Sequence, residues 1–238
     1  MIYLCIEFSY DLDGERHTIK PSYREEQFVT LNGKIDTIMV RCDLQEPTNT
    51  ETLVDLNYID IMVKPYWAPI GAHRFLQLVR EQYYDGVAFN RAVPGFLTQF
   101  GIAKDYEQRS KWDSMQILDD TTFEKFKPGY ISFAGSGKDS RTTEIFIVMP
   151  HVEQEQLDYF GENSWETAFA YLSEEDTERF GSWVYTDYGD MPPWGKGPDS
   201  SRIYDEDGYD YLESGFPNLS YIDRCYVVLE ESGFQSEL

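Results

Sequence analysis

The stretch GVAFNRAVPGFLTQFG, residues 86–101, carries the strongest structural signal in this chain of 238 residues. Apolar side chains alternate with others over residues 87–93, which predicts a β-strand, and a Pro-Gly turn follows. Arg91 shares the apolar face of that strand, where a guanidinium is costly unless it has a partner. Gln99 or an incoming ligand could be this partner. The stretch therefore predicts a strand–turn–strand unit with a candidate binding site, and an edge strand with a solvated arginine is the competing interpretation.

The sequence on both sides of this unit narrows the interpretation. APIGAHRFLQLVREQYYDG (68–86) precedes it, and GYISFAGSGKDSRTTEIFIV (129–148) and YGDMPPWGKGPD (188–199) follow. In this order the blocks resemble the cyclophilins, the peptidyl-prolyl cis-trans isomerases. They are most similar to a branch in which RTT followed by Gln or Glu recurs together with GKGPD. The resemblance covers roughly residues 57–230, and several ordered blocks make chance matching a poor explanation.

The pattern of elements predicts a mainly β fold. Helical periodicity is confined to two windows, 69–83 and 173–187, while many short alternating stretches favour an antiparallel barrel. The resemblance implies a closed eight-stranded antiparallel barrel capped by two helices. Residues 1–35 are interpreted as an N-terminal extension packed on the barrel and residues 36–238 as the cyclophilin-like domain. Residues 189–217 are expected to form a long C-terminal loop.

Individual strands are predicted from alternation at four places, with a tight hairpin at Asn32-Gly33. The predicted strands cover residues 2–8, 36–43, 58–64 and 221–229.

Composition excludes some partner classes. The chain has 20 basic and 43 acidic residues, hence a net charge of −23. This charge argues against binding nucleic acid or anionic membranes. No apolar run approaches the roughly 20 residues that span a bilayer, and the start lacks a signal-peptide pattern. These features predict a soluble, intracellular protein that does not insert into membranes.

The cysteines and histidines suggest neither a disulfide framework nor a metal site. Cys5, Cys42 and Cys225 are odd in number and far apart, without CxxC spacing. The three histidines are equally dispersed. We therefore expect no metal and no cofactor.

The resemblance implies prolyl isomerisation, a reaction that needs neither a metal nor a cofactor. Rotation about an X–Pro bond crosses a barrier of ~18–20 kcal/mol without any change of covalent bonds, so catalysis requires better binding of the twisted amide. By resemblance, Arg91 would donate to the prolyl nitrogen, and Phe96 and Gln99 would complete the catalytic set. The residues implied to bind substrate are Phe89, Leu97, Ala134, Gly135, Ser136, Glu144, Phe146 and Leu157.

Two of these positions depart from the family pattern. Gly135 stands where a rim Asn is usual, and Glu144 stands in place of a pocket Gln. A carboxylate at 144 is expected to pair with Arg91, which would lower the pKa of Glu144 and weaken Arg91 as a donor. On this expectation Glu144→Gln would raise kcat/KM.

Two functions remain open at this point. The first is a prolyl isomerase that assists folding by acting on X–Pro bonds in protein or peptide segments. The second is a catalytically weak cyclophilin-like binding module, or a subunit of a larger assembly with other protein subunits. A β-barrel that binds glycans through surface tyrosines is a third idea, but no motif supports it.

Overall fold

The computed structural model describes residues 8–10, 16–18, 37–46, 56–121 and 124–228. The chain divides into two compact units, Met1–Ile35 and Asp36–Leu238. In the first unit, strand β1 (Phe8–Tyr10) pairs antiparallel with β2 (Arg16–Thr18). Most of the predicted strand 2–8 and the predicted Asn32-Gly33 hairpin lie outside the described residues. Packing of residues 1–35 on the barrel stays a prediction.

The second unit is built around one eight-stranded sheet in which all neighbouring strands are antiparallel. In chain order its strands are β3 (Ile38–Leu44), β4 (Tyr58–Val63), β5 (Arg91–Val93), β6 (Leu97–Phe100), β7 (Tyr130–Phe133), β8 (Ile145–Val148), β9 (Ala168–Tyr171) and β10 (Ile222–Val227). Their order across the sheet is β10-β3-β4-β9-β7-β8-β6-β5. The prediction of a mainly β, antiparallel fold is therefore confirmed.

The predicted closure of the barrel is not confirmed. Strands β10 and β5 stand at the two edges of the sheet order. The segments that precede them meet at an isolated bridge between Ala88 and Tyr221. Phe89 N donates to Ser220 O at 2.9 Å and Ile222 N to Val87 O at 2.9 Å. The sheet is curled, and its edges approach each other through these few bonds.

Both predicted helices are present. Helix α1 (Pro69–Arg80) starts at a proline, whose missing N–H costs nothing in the first turn. The other predicted helix, α4 (Glu174–Trp183), begins at Ser173, whose hydroxyl accepts from Asp176 N at 3.0 Å. Three acidic residues in its first turn complement the positive end of the helix dipole. Local sequence signals therefore mark both helix starts.

Four further helices among the described residues were not predicted. They are α2 (Tyr106–Asp113), α3 (Gln154–Tyr159), α5 (Ser200–Ile203) and α6 (Gly208–Gly215). Helix α2 buries only Arg109 and Trp112, so its sequence shows no apolar stripe. The segment predicted as a loop over 189–217 contains α5 and α6. Their buried residues Ile203 and Leu212 join Ala88 and Ile102 in a small apolar cluster.

The prediction that the cysteines form no disulfide is wrong. Cys42 on β3 and Cys225 on β10 are directly opposite in the antiparallel register and form a disulfide, with 4.1 Å between their Cα atoms. The pairing was hidden because 183 residues separate the two in sequence. Disulfides persist mainly in oxidising compartments, so this bond weighs against the intracellular location, which stays a prediction. Among the residues that the structure describes, no helix is long and apolar enough to cross a membrane.

Candidate active site

Three of the predicted site residues lie in one row across the sheet. Arg91 on β5 is opposite Gln99 on β6, and Gln99 is opposite Phe146 on β8. Paired residues on neighbouring strands project from the same face of a sheet. The register therefore brings an arginine, an amide and an aromatic ring together on one face.

The Arg91 guanidinium has two partners in this structure. Its Nη1 donates to Gln99 Oε1 at 3.3 Å. Its Nε and Nη2 donate to the two carboxylate oxygens of Asp190 at 2.7 and 3.1 Å. The Arg91 and Asp190 side chains are only 15% and 21% exposed. Asp190 follows α4 in sequence and was not among the predicted site residues, although the block YGDMPPWGKGPD contains it.

Glu144 does not form the expected ion pair with Arg91. Its Oε2 accepts from Gln99 Nε2 at 2.7 Å, and its Oε1 accepts from the Tyr204 hydroxyl at 3.0 Å. Burial raises the pKa of Glu144, and the hydrogen bonds from Gln99 and Tyr204 only partly oppose this shift. The expectation of a lowered pKa is therefore wrong. Burial, and the nearby Glu144 charge, also raise the pKa of Tyr204.

Aromatic rings fill the apolar side of the site. The Phe160 ring stacks on Phe96 and on Phe146, with centroid separations of 5.3 and 5.4 Å. Phe126 stacks on Phe146 at 6.0 Å. Phe146 is only 3% exposed. The Phe96 ring faces the charged side of the site, because its centroid lies 5.6 Å from the Arg91 guanidinium carbon. Phe126 and Phe160 were not predicted, since phenylalanines in such positions are usually ordinary core residues.

Phe89 lies elsewhere. It is 1% exposed and packs against Phe100, Phe180 and Trp183 in the core. Alternation suggested that Phe89 and Arg91 share one strand face, but the strand begins only at Arg91. Phe89 is therefore a core residue in this structure rather than a part of the substrate site.

Two further apolar candidates, Leu97 and Leu157, lie on different elements. Leu97 is buried on β6, opposite Val148. Leu157 is half-buried on α3. A groove of about 430 Å³ adjoins this helix, lined by Phe96, Glu153, Glu155, Gln156 and Tyr159. Phe96 is the predicted site residue that this groove shares.

The predicted rim residues follow β7. Ala134 N donates to the backbone oxygen of Glu144 at 2.9 Å, which joins the rim to the site. Ser136 N donates to Ser140 Oγ at 2.8 Å. A Cβ atom at Gly135 would lie 2.6 Å from Cδ1 of Trp165, so the indole occupies the space of a side chain there. The structure thus explains why the residue at 135 is a glycine.

Comparison with known proteins finds a matching family model and several similar isomerases. The model of the family "Cyclophilin type peptidyl-prolyl cis-trans isomerase/CLD" matches residues 49–175, just over half of the chain. Peptidyl-prolyl cis-trans isomerase B of Bacillus subtilis is 30% identical over 42% of this chain and 72% of its own length. Peptidyl-prolyl isomerase cwc27 of Rhizopus delemar is 25% identical over 57% of this chain, which spans only 27% of that protein.

A solved structure shares the fold. A crystal structure of a cyclophilin type peptidyl-prolyl cis-trans isomerase from Cryptosporidium parvum aligns with 82% of this chain and 99% of its own, with a TM-score of 0.53 and 15% identity. At this identity the likeness concerns the fold alone, while the match of the family model concerns the sequence itself. On these grounds the chain belongs to the cyclophilin type peptidyl-prolyl cis-trans isomerase family.

Proposed function

We propose that this chain accelerates rotation about X–Pro bonds in protein segments, with Arg91 as the donor to the prolyl nitrogen. The observation that carries the proposal is the row Arg91–Gln99–Phe146, which places a charged donor beside apolar rings. Twisting the amide localises the lone pair on the prolyl nitrogen, so a fixed N–H donor favours the twisted state over either planar form. A partly buried guanidinium is effective in this role because few waters compete for its donors.

The substrates proposed here are proline-containing segments of flexible or unfolded proteins. No covalent bond changes in the rotation, so the proposed reaction requires no nucleophile. Gln99 would hold Arg91 through its Oε1 atom, and the backbone near Ala134 would hold the residue before the proline. With a net charge of −23, nucleic acid is a poor candidate partner. Assistance to protein folding is part of this proposal, whereas membership of a larger assembly belongs to the second candidate function.

A second candidate function is peptide binding without efficient catalysis. The observation that favours it is the burial of Phe146, which lies under the rings of Phe126 and Phe160. A proline ring needs an apolar slot, and in this conformation two phenylalanines occupy the surface next to Phe146. A protein of this kind would bind proline peptides at the Phe96 side of the site without accelerating their isomerisation.

Replacing Arg91 by alanine is expected to lower kcat/KM toward a proline peptide by about 100-fold, the usual effect of removing a fixed transition-state donor. A protease-coupled isomerisation assay measures the rate, and an NMR titration measures peptide affinity. Arg202→Ala is the matched control, because Arg202 lies on α5 and forms an exposed ion pair with Asp205. A wild type that binds the peptide without accelerating isomerisation would support the second candidate instead.

The raised pKa of Glu144 leads to a pH prediction. When ionised, the Glu144 carboxylate accepts from Gln99 Nε2 and leaves Gln99 Oε1 for Arg91. Protonated Glu144 can instead donate to Gln99 Oε1 and compete with Arg91 for that oxygen. Because the pKa is raised, this change should begin at a higher pH than for an ordinary glutamate. We therefore expect kcat/KM to fall as the pH falls through the raised pKa of Glu144.

Glu144→Gln cannot ionise and should lack this acid limb in the pH profile of kcat/KM. Like protonated Glu144, the new amide can donate to Gln99 Oε1, so kcat/KM of this variant should lie near the acid-limb value of the wild type at every pH. The sequence analysis expected Glu144→Gln to raise kcat/KM by releasing Arg91 from an ion pair. The structure removes the reason for that expectation, because Glu144 does not pair with Arg91. Superimposable pH profiles for the two proteins would contradict this role of Glu144.

A further inference from the structure

We infer that Asp190 is a positioning residue, whose carboxylate fixes the Arg91 guanidinium in the orientation that presents its remaining donors to substrate. The inference rests on the proposed function and adds a residue outside the family match, which ends at residue 175. It starts from the paired hydrogen bonds at 2.7 and 3.1 Å between Asp190 and the Nε–Nη2 edge of Arg91.

The number of N–H donors on Arg91 indicates that Asp190 orients the guanidinium without blocking its access to substrate. A guanidinium has five N–H donors in one plane. Asp190 takes one from Nε and one from Nη2, and Gln99 takes one from Nη1. One N–H on each terminal nitrogen therefore remains for a substrate. A two-point contact also removes rotation of the planar group, which a single hydrogen bond would permit.

Asp190 is itself held in place by its loop. Its Oδ1 accepts from Met191 N at 2.7 Å, and its backbone oxygen accepts from Gly197 N at 2.8 Å. A Cβ atom at Gly195 would lie 2.2 Å from that same backbone oxygen, so only glycine allows the chain to close around Asp190. The carboxylate is therefore presented from a folded turn.

A second contact from the same region supports the inference. The Tyr204 hydroxyl donates to Glu144, which in turn accepts from Gln99. Asp190 and Tyr204 thus reach the two ends of the Arg91–Gln99 pair, one directly and one through Glu144. Since Arg91 and Asp190 are both largely withdrawn from solvent, their pairing should be stronger than that of an exposed ion pair.

The test compares Asp190→Ala and Asp190→Asn with the wild type. Asp190→Ala is expected to lower kcat/KM about tenfold through loss of orientation, with peptide affinity changed less than about twofold. Asp190→Asn keeps the shape and one acceptor, so its loss should be smaller. Asp205→Ala is the matched control, because it removes an exposed carboxylate from the same region while the backbone remains. That variant should match the wild type.

An NMR signal separates positioning from a general effect on stability. The Arg91 Nε–H signal, assigned by its disappearance in Arg91→Lys, should be present in the wild type and in Asp205→Ala and lost in Asp190→Ala. An unchanged or increased kcat/KM in Asp190→Ala would overturn the inference, and an increase would identify Asp190 as an inhibitory contact. If the wild type shows no isomerase activity, the proposed function fails. The Nε–H signal then decides alone: its retention in Asp190→Ala, or its absence from the wild type, overturns the positioning role.

Discussion

Asp120→Ala is expected to lower the free energy of unfolding by about 3–5 kcal/mol, the usual result of breaking a buried ion pair by removing one partner. The Asp120 carboxylate accepts from Arg141 Nη1 and Nη2, both at 3.2 Å. It also accepts from Ile70 N and Gly71 N at the start of α1, at 2.9 Å each. The Arg141 side chain is fully buried, so its charge would lose its nearest carboxylate without gaining water.

Urea unfolding of matched variants checks this expectation. Asp120→Ala combined with Arg141→Met should recover much of the loss, because apolar replacement of both partners of a buried pair is often close to neutral. Lys104→Ala is the exposed control. Lys104 and Glu213 are both more than half exposed, so breaking their pair should cost no more than about 1 kcal/mol. Equal losses in Asp120→Ala and Lys104→Ala would refute the special role of the buried pair.

The Asp120–Arg141 pair shows that a sequence motif can be recognised before the structural role of its residues is known. The RTTE stretch (141–144) was part of the family resemblance, but its arginine had no assigned role. In the structure Arg141 ties residues 118–120 to the start of α1, and Glu144 holds Gln99. The side-chain hydrogen bonds of Arg141 reach residues 20 or more positions away, so local periodicity gives no indication of them.

Local patterns sufficed where the site is built from local pairing. A three-residue turn between β5 and β6 fixes the register of Arg91 against Gln99, so the sequence could predict their proximity. The contact with Asp190 crosses 99 residues, and nothing in the loop sequence states where that loop folds back. For Phe89 the local pattern was misleading. The alternation was extended beyond the short strand β5, which begins only at Arg91, and so Phe89 was wrongly predicted to lie in the substrate site.

Loss of the Cys42–Cys225 disulfide has the largest expected effect on stability. In the chain-entropy description, a crosslink that closes a loop of this length stabilises the folded state by about 5 kcal/mol, and native disulfides commonly contribute about 2–5 kcal/mol. The bond joins β10 to β3, while the segment before β10 bridges to Ala88, three residues from Arg91. A loosened β10 should therefore also weaken the support of the strand that carries Arg91.

Urea unfolding with and without a reductant measures this contribution. The wild type should lose several kcal/mol on reduction, whereas the Cys42→Ala/Cys225→Ala double variant should start at the lower value and not respond to reductant. Cys5→Ala is the matched control, since Cys5 is the one cysteine outside the disulfide, and this variant should keep the full response. An unfolding free energy that is the same in oxidised and reduced wild type would show that pairing within the sheet, rather than the crosslink, holds β10 on β3.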